Sequence, residues 1–212
     1  MQQQFEDAQA RQEALYAELA VEATDTIMLG DSLTDGAPWA ELIPDRVVKN
    51  RGIGGQTSED IQKRLYPITK GHPRQVFFMA GSNDLAQGKS IREITSSIEY
   101  IVNQFGQLSP QTQLLIQSVL PREPKLSKKI TQLNEHLLNI SKKNGLYFID
   151  LYSAFTSKQG SIKSTLSNDN IHLMPEGYRL WLSLIKPYLR PYFMPDTKLD
   201  PKKLMSKPLN KQ

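Results

Sequence analysis

The sequence contains three histidines, and one of them stands where a general base could act. His72 precedes Pro73 and a predicted strand, which places it at the amino edge of a sheet, and His136 falls within a predicted helix. His172 lies in a polar loop, three residues after Asp169. A carboxylate at this spacing can hydrogen-bond an imidazole and fix its tautomer for general-base catalysis. A lone Asp-x-x-His pair also suits a helix cap or a surface position.

Ser32 is the candidate nucleophile for such a base. It lies in the segment Gly30-Asp31-Ser32-Leu33-Thr34, directly after an apolar run, where a short turn presents a hydroxyl at a sheet edge. Serine attacks poorly unless a base accepts its proton, so Ser32 and His172 are predicted to meet. A helix cap is the structural alternative. Thr34 replaces the second glycine of a Gly-x-Ser-x-Gly elbow, which disfavours the common α/β-hydrolase fold.

Two further features offer hydrogen-bond donors for the negative oxygen of an acyl-transfer intermediate. Gly54-Gly55 lets the backbone approach a substrate closely, and Asn83 carries an amide after a predicted strand. Losing one such donor can cost roughly 3 kcal/mol of transition-state stabilisation. A tight turn is the structural alternative for the glycines, and an Asx-turn or a cap is the alternative for Asn83.

Other chemistries are disfavoured by the residue types present. The sequence has no cysteine, which removes disulfides, zinc-thiolate sites and thiol nucleophiles. The segment Gly52-Ile53-Gly54-Gly55-Gln56-Thr57 has threonine where a dinucleotide fingerprint needs its last glycine, and no Gly-Lys-Ser/Thr follows to make a phosphate loop. A two-metal phosphoesterase is disfavoured because such sites recruit several histidines and acids. We therefore expect no metal and no organic cofactor.

Five short apolar runs are predicted to form the strands that position these residues. The runs are Ile27-Met28-Leu29, Val47-Val48, Val76-Phe77-Phe78-Met79, Leu114-Leu115-Ile116 and Leu146-Tyr147-Phe148-Ile149. Continuous runs of this kind are typical of parallel strands that are buried on both faces and joined by crossover helices. The sequence therefore predicts a three-layer α/β/α sandwich, with ligands bound beyond the carboxyl ends of the strands.

Several helix starts and one strand end can also be predicted. Ser58 and Ser127 are expected to cap helices, Ser90 is expected to begin one, and Pro175 suits the first position of the last helix. The second strand is expected to end before Asn50, which would put its polar residues in the loop that follows.

Composition divides the chain into three parts. Residues 1–22 predict a separate helix with an apolar stripe of Phe5, Ala8, Leu15 and Leu19, which either docks on the domain or pairs with another chain as a homo-oligomer. Residues 23–190 carry the strand–helix alternation. Residues 191–212 predict an arm rich in proline and lysine. No aromatic residues interleave with the lysines from 196 onward, so we expect no nucleic-acid partner.

Neither a membrane-spanning segment nor a leader is visible in the sequence. No apolar run approaches the ~20 residues that a membrane-spanning helix needs. The amino-terminal segment lacks the basic-then-apolar layout of a signal peptide. A cytoplasmic location is favoured, and an exported chain whose leader had been removed would look the same.

Four segments, in this order, resemble the conserved blocks of the SGNH hydrolases, also called GDSL esterases and lipases. They are Gly30-Asp31-Ser32-Leu33, Gly52-Ile53-Gly54-Gly55-Gln56-Thr57, Gly81-Ser82-Asn83-Asp84 and Asp169-Asn170-Ile171-His172. The resemblance covers about residues 25–190 and implies a flavodoxin-like sheet of five parallel strands in a serine hydrolase that acts on esters. Arg64-Leu65 and Leu120-Pro121-Arg122 are similar to the branch that includes bacterial relatives of platelet-activating-factor acetylhydrolase.

The resemblance also implies a role for each candidate residue. Ser32 would be the nucleophile, His172 its base and Asp169 the partner of that base. The oxyanion donors would be the Ser32 N–H, the Gly55 N–H and the Asn83 side chain. Gly55 is selected over Gly54 because the family's glycine precedes a polar residue and a threonine.

Two departures from the family pattern are small. Gln56 stands where aspartate is frequent, and Ser82 stands where threonine is frequent. Neither touches the implied chemistry, although Gln56 makes the local charge less negative.

These features together predict an esterase or acylhydrolase. Short-acyl esters are favoured because the loops show no long apolar lid, and an O-acetylated carbohydrate, a lysophospholipid or an acyl thioester could be the substrate. Arg51 or Arg122 could meet an anionic substrate or could serve at the surface or the sheet edge. The alternative from another class is a non-catalytic binding or scaffolding module that retains the fold.

Overall fold

A computed structural model describes residues 2–189, which form a five-stranded parallel sheet covered by helices. The strands are β1 (Thr26–Gly30), β2 (Val48–Gly52), β3 (Gln75–Phe78), β4 (Gln113–Gln117) and β5 (Tyr147–Ile149). Their order across the sheet is β2-β1-β3-β4-β5. This is the flavodoxin-like doubly wound order, so the predicted fold class is confirmed.

Ten α-helices lie within the described residues. They are α1 (Gln2–Glu18), α2 (Ser32–Asp35), α3 (Trp39–Leu42), α4 (Ser58–Lys63), α5 (Tyr66–Lys70), α6 (Ser82–Ala86), α7 (Ile91–Leu108), α8 (Ser127–Asn144), α9 (Tyr152–Phe155) and α10 (Pro175–Ile185).

Successive strand residues point into two different cores, which makes the fold three-layered. In β1, Ile27 and Leu29 belong to one core, whereas Met28 belongs to the other. In β3, Val76 and Phe77 are divided in the same way. The first core is completed by α4, α5, α7 and α8, and the second by α2, α3, α9 and α10. Full burial on both faces explains why these strands are apolar without alternation.

The end of the second strand was predicted wrongly. Asn50 lies inside β2, which runs on to Gly52, and Val47 precedes the strand with 46% of its surface exposed. β2 is an edge strand, so polar side chains need not enter a core there. The Asn50 amide instead donates to the backbone carbonyls of Thr34 and Asp35, at 3.1 and 3.0 Å.

Two of the predicted helix starts are confirmed. Ser90 caps α7 and forms a reciprocal capping box with Glu93. Pro175 occupies the first position of α10. Both positions carry strong local signals that do not depend on the rest of the fold.

The other two helix starts were predicted wrongly because their hydroxyls have distant partners. Thr57, rather than Ser58, caps α4, since Asp60 lies three residues on and completes a capping box. The Ser58 hydroxyl donates instead to Asp84, at 2.7 Å. Ser127 is the first residue of α8, and its Oγ lies 3.3 Å from the hydroxyl of Tyr152.

Helix α1 docks on the domain, and it does so through polar side chains. Gln9, Gln12 and Tyr16 are partly buried against the domain, whereas Leu15 and Leu19 remain about half exposed, at 54% and 46%. Leu15 and Leu19 of the expected apolar stripe therefore lie off the docking face, whereas Phe5 packs against Gly55. Tyr16 lies under the guanidinium of Arg51, with the Cζ atom 4.7 Å from the ring centre.

Other sequence expectations concern the ends of the chain and its possible ligands. The arm expected over residues 191–212 lies outside the described residues. None of the helices described between residues 2 and 189 is long and apolar enough to cross a bilayer. Within the same range, His, Asp and Glu side chains form no group of three that could hold a metal ion.

Candidate active site

The carboxyl edge of the sheet brings the candidate residues together. Ser32 follows β1, Gly55 belongs to the loop after β2, and Asn83 follows β3. Asp169 and His172 come from the long loop before α10. All five residues predicted from the sequence therefore lie around one edge of the fold, as expected for an open parallel sheet.

Ser32 is held by a sharp turn between β1 and α2. A Cβ atom on Gly30 would lie 2.2 Å from the Thr34 side chain, so the turn requires glycine at that position. Asp31 then caps α2 by accepting a hydrogen bond from the Leu33 N–H, at 3.0 Å. Ser32 is thus the first residue of the helix rather than its cap, and its side chain is partly exposed at the sheet edge.

Ser32, His172 and Asp169 form a continuous hydrogen-bonded chain. His172 Nε2 lies 3.2 Å from Ser32 Oγ, and His172 Nδ1 lies 2.7 Å from Asp169 Oδ2. The histidine and aspartate side chains are 54% and 45% exposed, so solvent and substrate reach the site directly. The arrangement matches the geometry required of a nucleophile, its base and a group that orients the base.

The loop itself holds Asp169 in its ionised form. Partial desolvation acts to raise the pKa of Asp169, but hydrogen bonds from the His172 ring, the His172 N–H and the Ile171 N–H outweigh it and keep that pKa well below its ordinary value. Asn170, between Asp169 and Ile171, has a φ of 65°, a left-handed conformation that asparagine tolerates. The local turn and the contact with the imidazole therefore use the same carboxylate.

The oxyanion candidates follow β2 and β3, the two strands that pair with β1. Gly55 has a φ of 76°, which favours glycine, and a Cβ atom on the adjacent Gly54 would lie 3.9 Å from the Cβ atom of Ser32. The Asn83 amide donates to the carbonyl of Gln56, at 2.9 Å. An amide nitrogen carries a second hydrogen, which leaves Asn83 with a donor for a substrate oxygen. The catalytic roles of Gly55 and Asn83 remain predictions.

Arg64 supports the site, a role that could not be predicted from the sequence. Its guanidinium donates to the carbonyls of Gly30 and Arg51, at 3.2 and 3.0 Å, and to Gln56 Oε1, at 2.6 Å. It therefore joins the ends of β1 and β2 to residues 53–57, the loop between β2 and α4 that is called the glycine loop below. Burial lowers the pKa of Arg64 to about 10. Its partners are mostly backbone atoms distant in the sequence, so no local pattern indicates them.

The two arginines considered for an anionic substrate make internal contacts instead. Arg122 is 7% exposed and donates to the carbonyl of Ser82, at 3.2 Å. Arg51 is 4% exposed, lies in the edge strand β2 and donates to the carbonyl of Leu19, at 3.3 Å. Of the alternatives considered, the sheet-edge role fits Arg51. The surface role does not fit Arg122, because its side chain is buried.

Asp31 is a buried carboxyl group that the chemistry does not use. Desolvation raises the pKa of Asp31 to about 6, although the Leu33 N–H and the charge of Arg122 both act to lower it. Only 1% of Asp31 is exposed. Ionising Asp31, the residue beside the candidate nucleophile, at neutral pH therefore costs folding free energy.

The sequence model of the GDSL-like lipase/acylhydrolase family matches residues 28–180, and the chain belongs to this family. Over 164 residues it is 26% identical to the human platelet-activating factor acetylhydrolase IB subunit alpha2, which covers 73% of this chain and 71% of that protein. The chain is thus a GDSL-type hydrolase of ester bonds, as the sequence predicted.

Solved structures support the same fold. A GDSL-like lipase from Bacteroides thetaiotaomicron superposes with a TM-score of 0.71 at 22% identity, over 84% of this chain and 95% of that one. A mutant of an acetyl-xylooligosaccharide esterase from Geobacillus gives a TM-score of 0.65 at 18% identity, over 82% and 96% of the two chains. At these identities the likeness concerns the architecture alone.

Proposed function

We propose that this protein is a serine esterase that cleaves short-acyl carboxylic esters through an acyl-enzyme on Ser32. The observation that carries the proposal is the hydrogen-bonded chain from Ser32 Oγ through the His172 ring to Asp169 Oδ2, at 3.2 and 2.7 Å. A binding module would have no need for a hydroxyl, an imidazole and a carboxylate in this order.

The first half of the reaction forms the acyl-enzyme. His172 Nε2 accepts the Ser32 proton as Oγ attacks the ester carbonyl, and the Asp169 carboxylate stabilises the imidazolium that results. The Ser32 and Gly55 N–H groups and the Asn83 amide donate to the oxyanion of the tetrahedral intermediate. His172 then gives its proton to the leaving alcohol oxygen, and the carbon–oxygen bond of the ester breaks.

The second half releases the acid. Water attacks the acyl carbonyl while His172 Nε2 accepts a proton from it, and the Ser32 oxygen leaves as the tetrahedral intermediate collapses. The proton on His172 returns to Ser32 Oγ. These steps need no group beyond the side chains and backbone donors named, so we propose that the reaction uses no cofactor.

A short acyl group is supported by the openness of the site and by the name of one relative. His172 is 54% exposed, which is unlike the floor of a deep lipid tunnel. The name of the human relative, an acetylhydrolase, specifies an acetyl group. We therefore propose an O-acetylated carbohydrate or a lysophospholipid-like ester as the substrate class.

A chain-length series tests the proposal. Purified protein should hydrolyse p-nitrophenyl acetate and butanoate faster than the decanoate, and Ser32→Ala should abolish turnover of all three. Ser96→Ala, the same change at an exposed position of α7, is the matched control and should keep full activity. Ester hydrolysis that persists in Ser32→Ala would remove the nucleophile assignment, and a preference for the decanoate would contradict the short-acyl proposal.

A further inference from the structure

Helix α1 places an aromatic ring against the glycine loop of the candidate active site. A Cβ atom on Gly55 would lie 2.5 Å from Phe5 Cζ and 2.7 Å from Cε1, so the ring packs directly on the Gly55 backbone. A Cβ atom on Gly54, the preceding residue, would lie 3.9 Å from the Cβ atom of Ser32. Phe5 and Ser32 therefore lie beside adjacent residues of one short loop.

Polar contacts fix the helix in this position. Gln9 Nε2 donates to the Gly54 carbonyl at 2.6 Å, and Gln12 Nε2 donates to Asp35 Oδ1 at 3.1 Å. A hydrogen bond joins Gln56 to Glu13. These anchors bind α1 to the glycine loop and to the end of α2, which begins at Ser32. The position of Phe5 is thus coupled to the loop that carries Gly55.

The Phe5 ring is nevertheless half exposed, at 51%. One part of the ring covers Gly55, and the rest faces solvent. An aromatic ring held at a fixed position is a favourable surface for an apolar group because covering it removes apolar area from water. Leu15, on the same helix, is similarly exposed at 54%, but it lies ten residues further on, about 15 Å along the axis.

We propose that Phe5 is a specificity-determining residue that contacts the acyl group of the ester, an inference that rests on the proposed function. The leaving oxygen must face His172 Nε2, which donates a proton to it, and His172 reaches Ser32 from the loop before α10. Phe5, from α1, instead packs on Gly55 in the loop after β2, which is a different element from the one that carries His172. The acyl chain, rather than the alcohol, is therefore the part of the substrate that covers the ring.

Two substrate series test this assignment. In the first, the leaving group is p-nitrophenol and the acyl group runs from acetyl through butanoyl to hexanoyl. In the second, the acyl group is acetyl and the alcohol is varied. Phe5→Ala should lower kcat/KM for the butanoate by about four-fold and leave the acetate within about two-fold, because only the longer chain covers the ring.

Two further variants separate this role from a structural one. Phe5→Leu should recover most of the butanoate activity, since it restores an apolar side chain. Leu15→Ala, the matched truncation on the same helix, should leave both series unchanged. Unaltered acetate turnover in Phe5→Ala shows that the glycine loop and α1 remain in place.

The outcomes distinguish the role of Phe5 from the proposed function. Normal Ser32-dependent acetate hydrolysis with an unchanged acyl-chain profile in Phe5→Ala overturns the role of Phe5 alone. An equal loss across all acyl lengths, or an effect confined to the alcohol series, overturns it as well. Absence of Ser32-dependent hydrolysis in the unaltered protein would overturn the proposed function and the role of Phe5 together.

Discussion

His172 Nε2 lies 3.2 Å from Ser32 Oγ, although 140 residues separate the two along the chain. Helix α10, which follows His172, is fixed to the helix that begins at Ser32: the Tyr178 hydroxyl donates to the Leu33 carbonyl at 3.0 Å. The second core strengthens this attachment, because Trp181 packs edge-on against Trp39 with ring centres 5.1 Å apart. Packing between the two ends of the domain therefore sets the distance between base and nucleophile.

The base and its partner should both be needed for turnover. His172→Ala should lower kcat by roughly a thousand-fold or more, because the Ser32 hydroxyl hydrogen-bonds no other side chain within residues 2–189. Asp169→Asn should lower kcat by about ten-thousand-fold, since the amide loses the charge that stabilises the imidazolium and can hold the ring in the wrong tautomer. Steady-state kinetics with p-nitrophenyl acetate measure both effects. His136→Ala, at an exposed position of α8, is the control, and a loss of less than about ten-fold in His172→Ala would reassign the base.

The Asn83 amide should act on turnover rather than on binding or stability. Asn83→Ala should lower kcat by about a hundred-fold, with little change in KM, because the missing donor serves the oxyanion. Its thermal midpoint should stay near that of the unaltered protein, since the side chain is only partly buried and gives up one hydrogen bond, to Gln56. Asn103→Ala, on the exposed face of α7, is the matched control. An unchanged kcat in Asn83→Ala would exclude it from the oxyanion site.

Asp31 should make stability depend on pH. Its pKa is about 6 in the folded protein and 3.8 ordinarily, so the folded state binds the extra proton between these values. The free energy of unfolding should therefore fall as pH rises from about 4 to about 7, by up to about 3 kcal/mol from this group. Asp31→Asn keeps the acceptor for Leu33 and removes the buried charge.

Urea unfolding at several pH values measures this difference. Asp31→Asn should gain stability relative to the unaltered protein as pH rises, because other titrating groups cancel in the comparison. Parallel pH profiles for the two proteins would show that the Asp31 carboxyl carries no such cost.

The strands and the site blocks could be predicted from sequence because their signals are local. Apolar runs such as Val76-Phe77-Phe78-Met79 mark strands that are buried on both faces, and in an open parallel sheet the chemistry follows the strand ends. Capping signals were reliable only where the partner was near. Ser90 has Glu93 three residues on, whereas the Ser58 hydroxyl donates to Asp84, which lies 26 residues further along the chain.

The features that escaped prediction depend on contacts between distant segments. The docking face of α1 is mostly polar, because Gln9 donates to the Gly54 carbonyl and Gln12 donates to Asp35 rather than packing into a core. An apolar stripe could not reveal it. Arg64 likewise donates to backbone carbonyls at two strand ends. Every residue type carries such a carbonyl, so the sequence cannot indicate which ones accept.

Reaction with a fluorophosphonate is the sharpest test of Ser32 as the nucleophile, because the reagent phosphonylates an activated serine hydroxyl. Peptide mass spectrometry of the labelled protein should find one adduct, on Ser32, and labelling should be at least about a hundred-fold slower in His172→Ala. Undiminished labelling of Ser32→Ala, or an adduct on a different serine, would contradict the account.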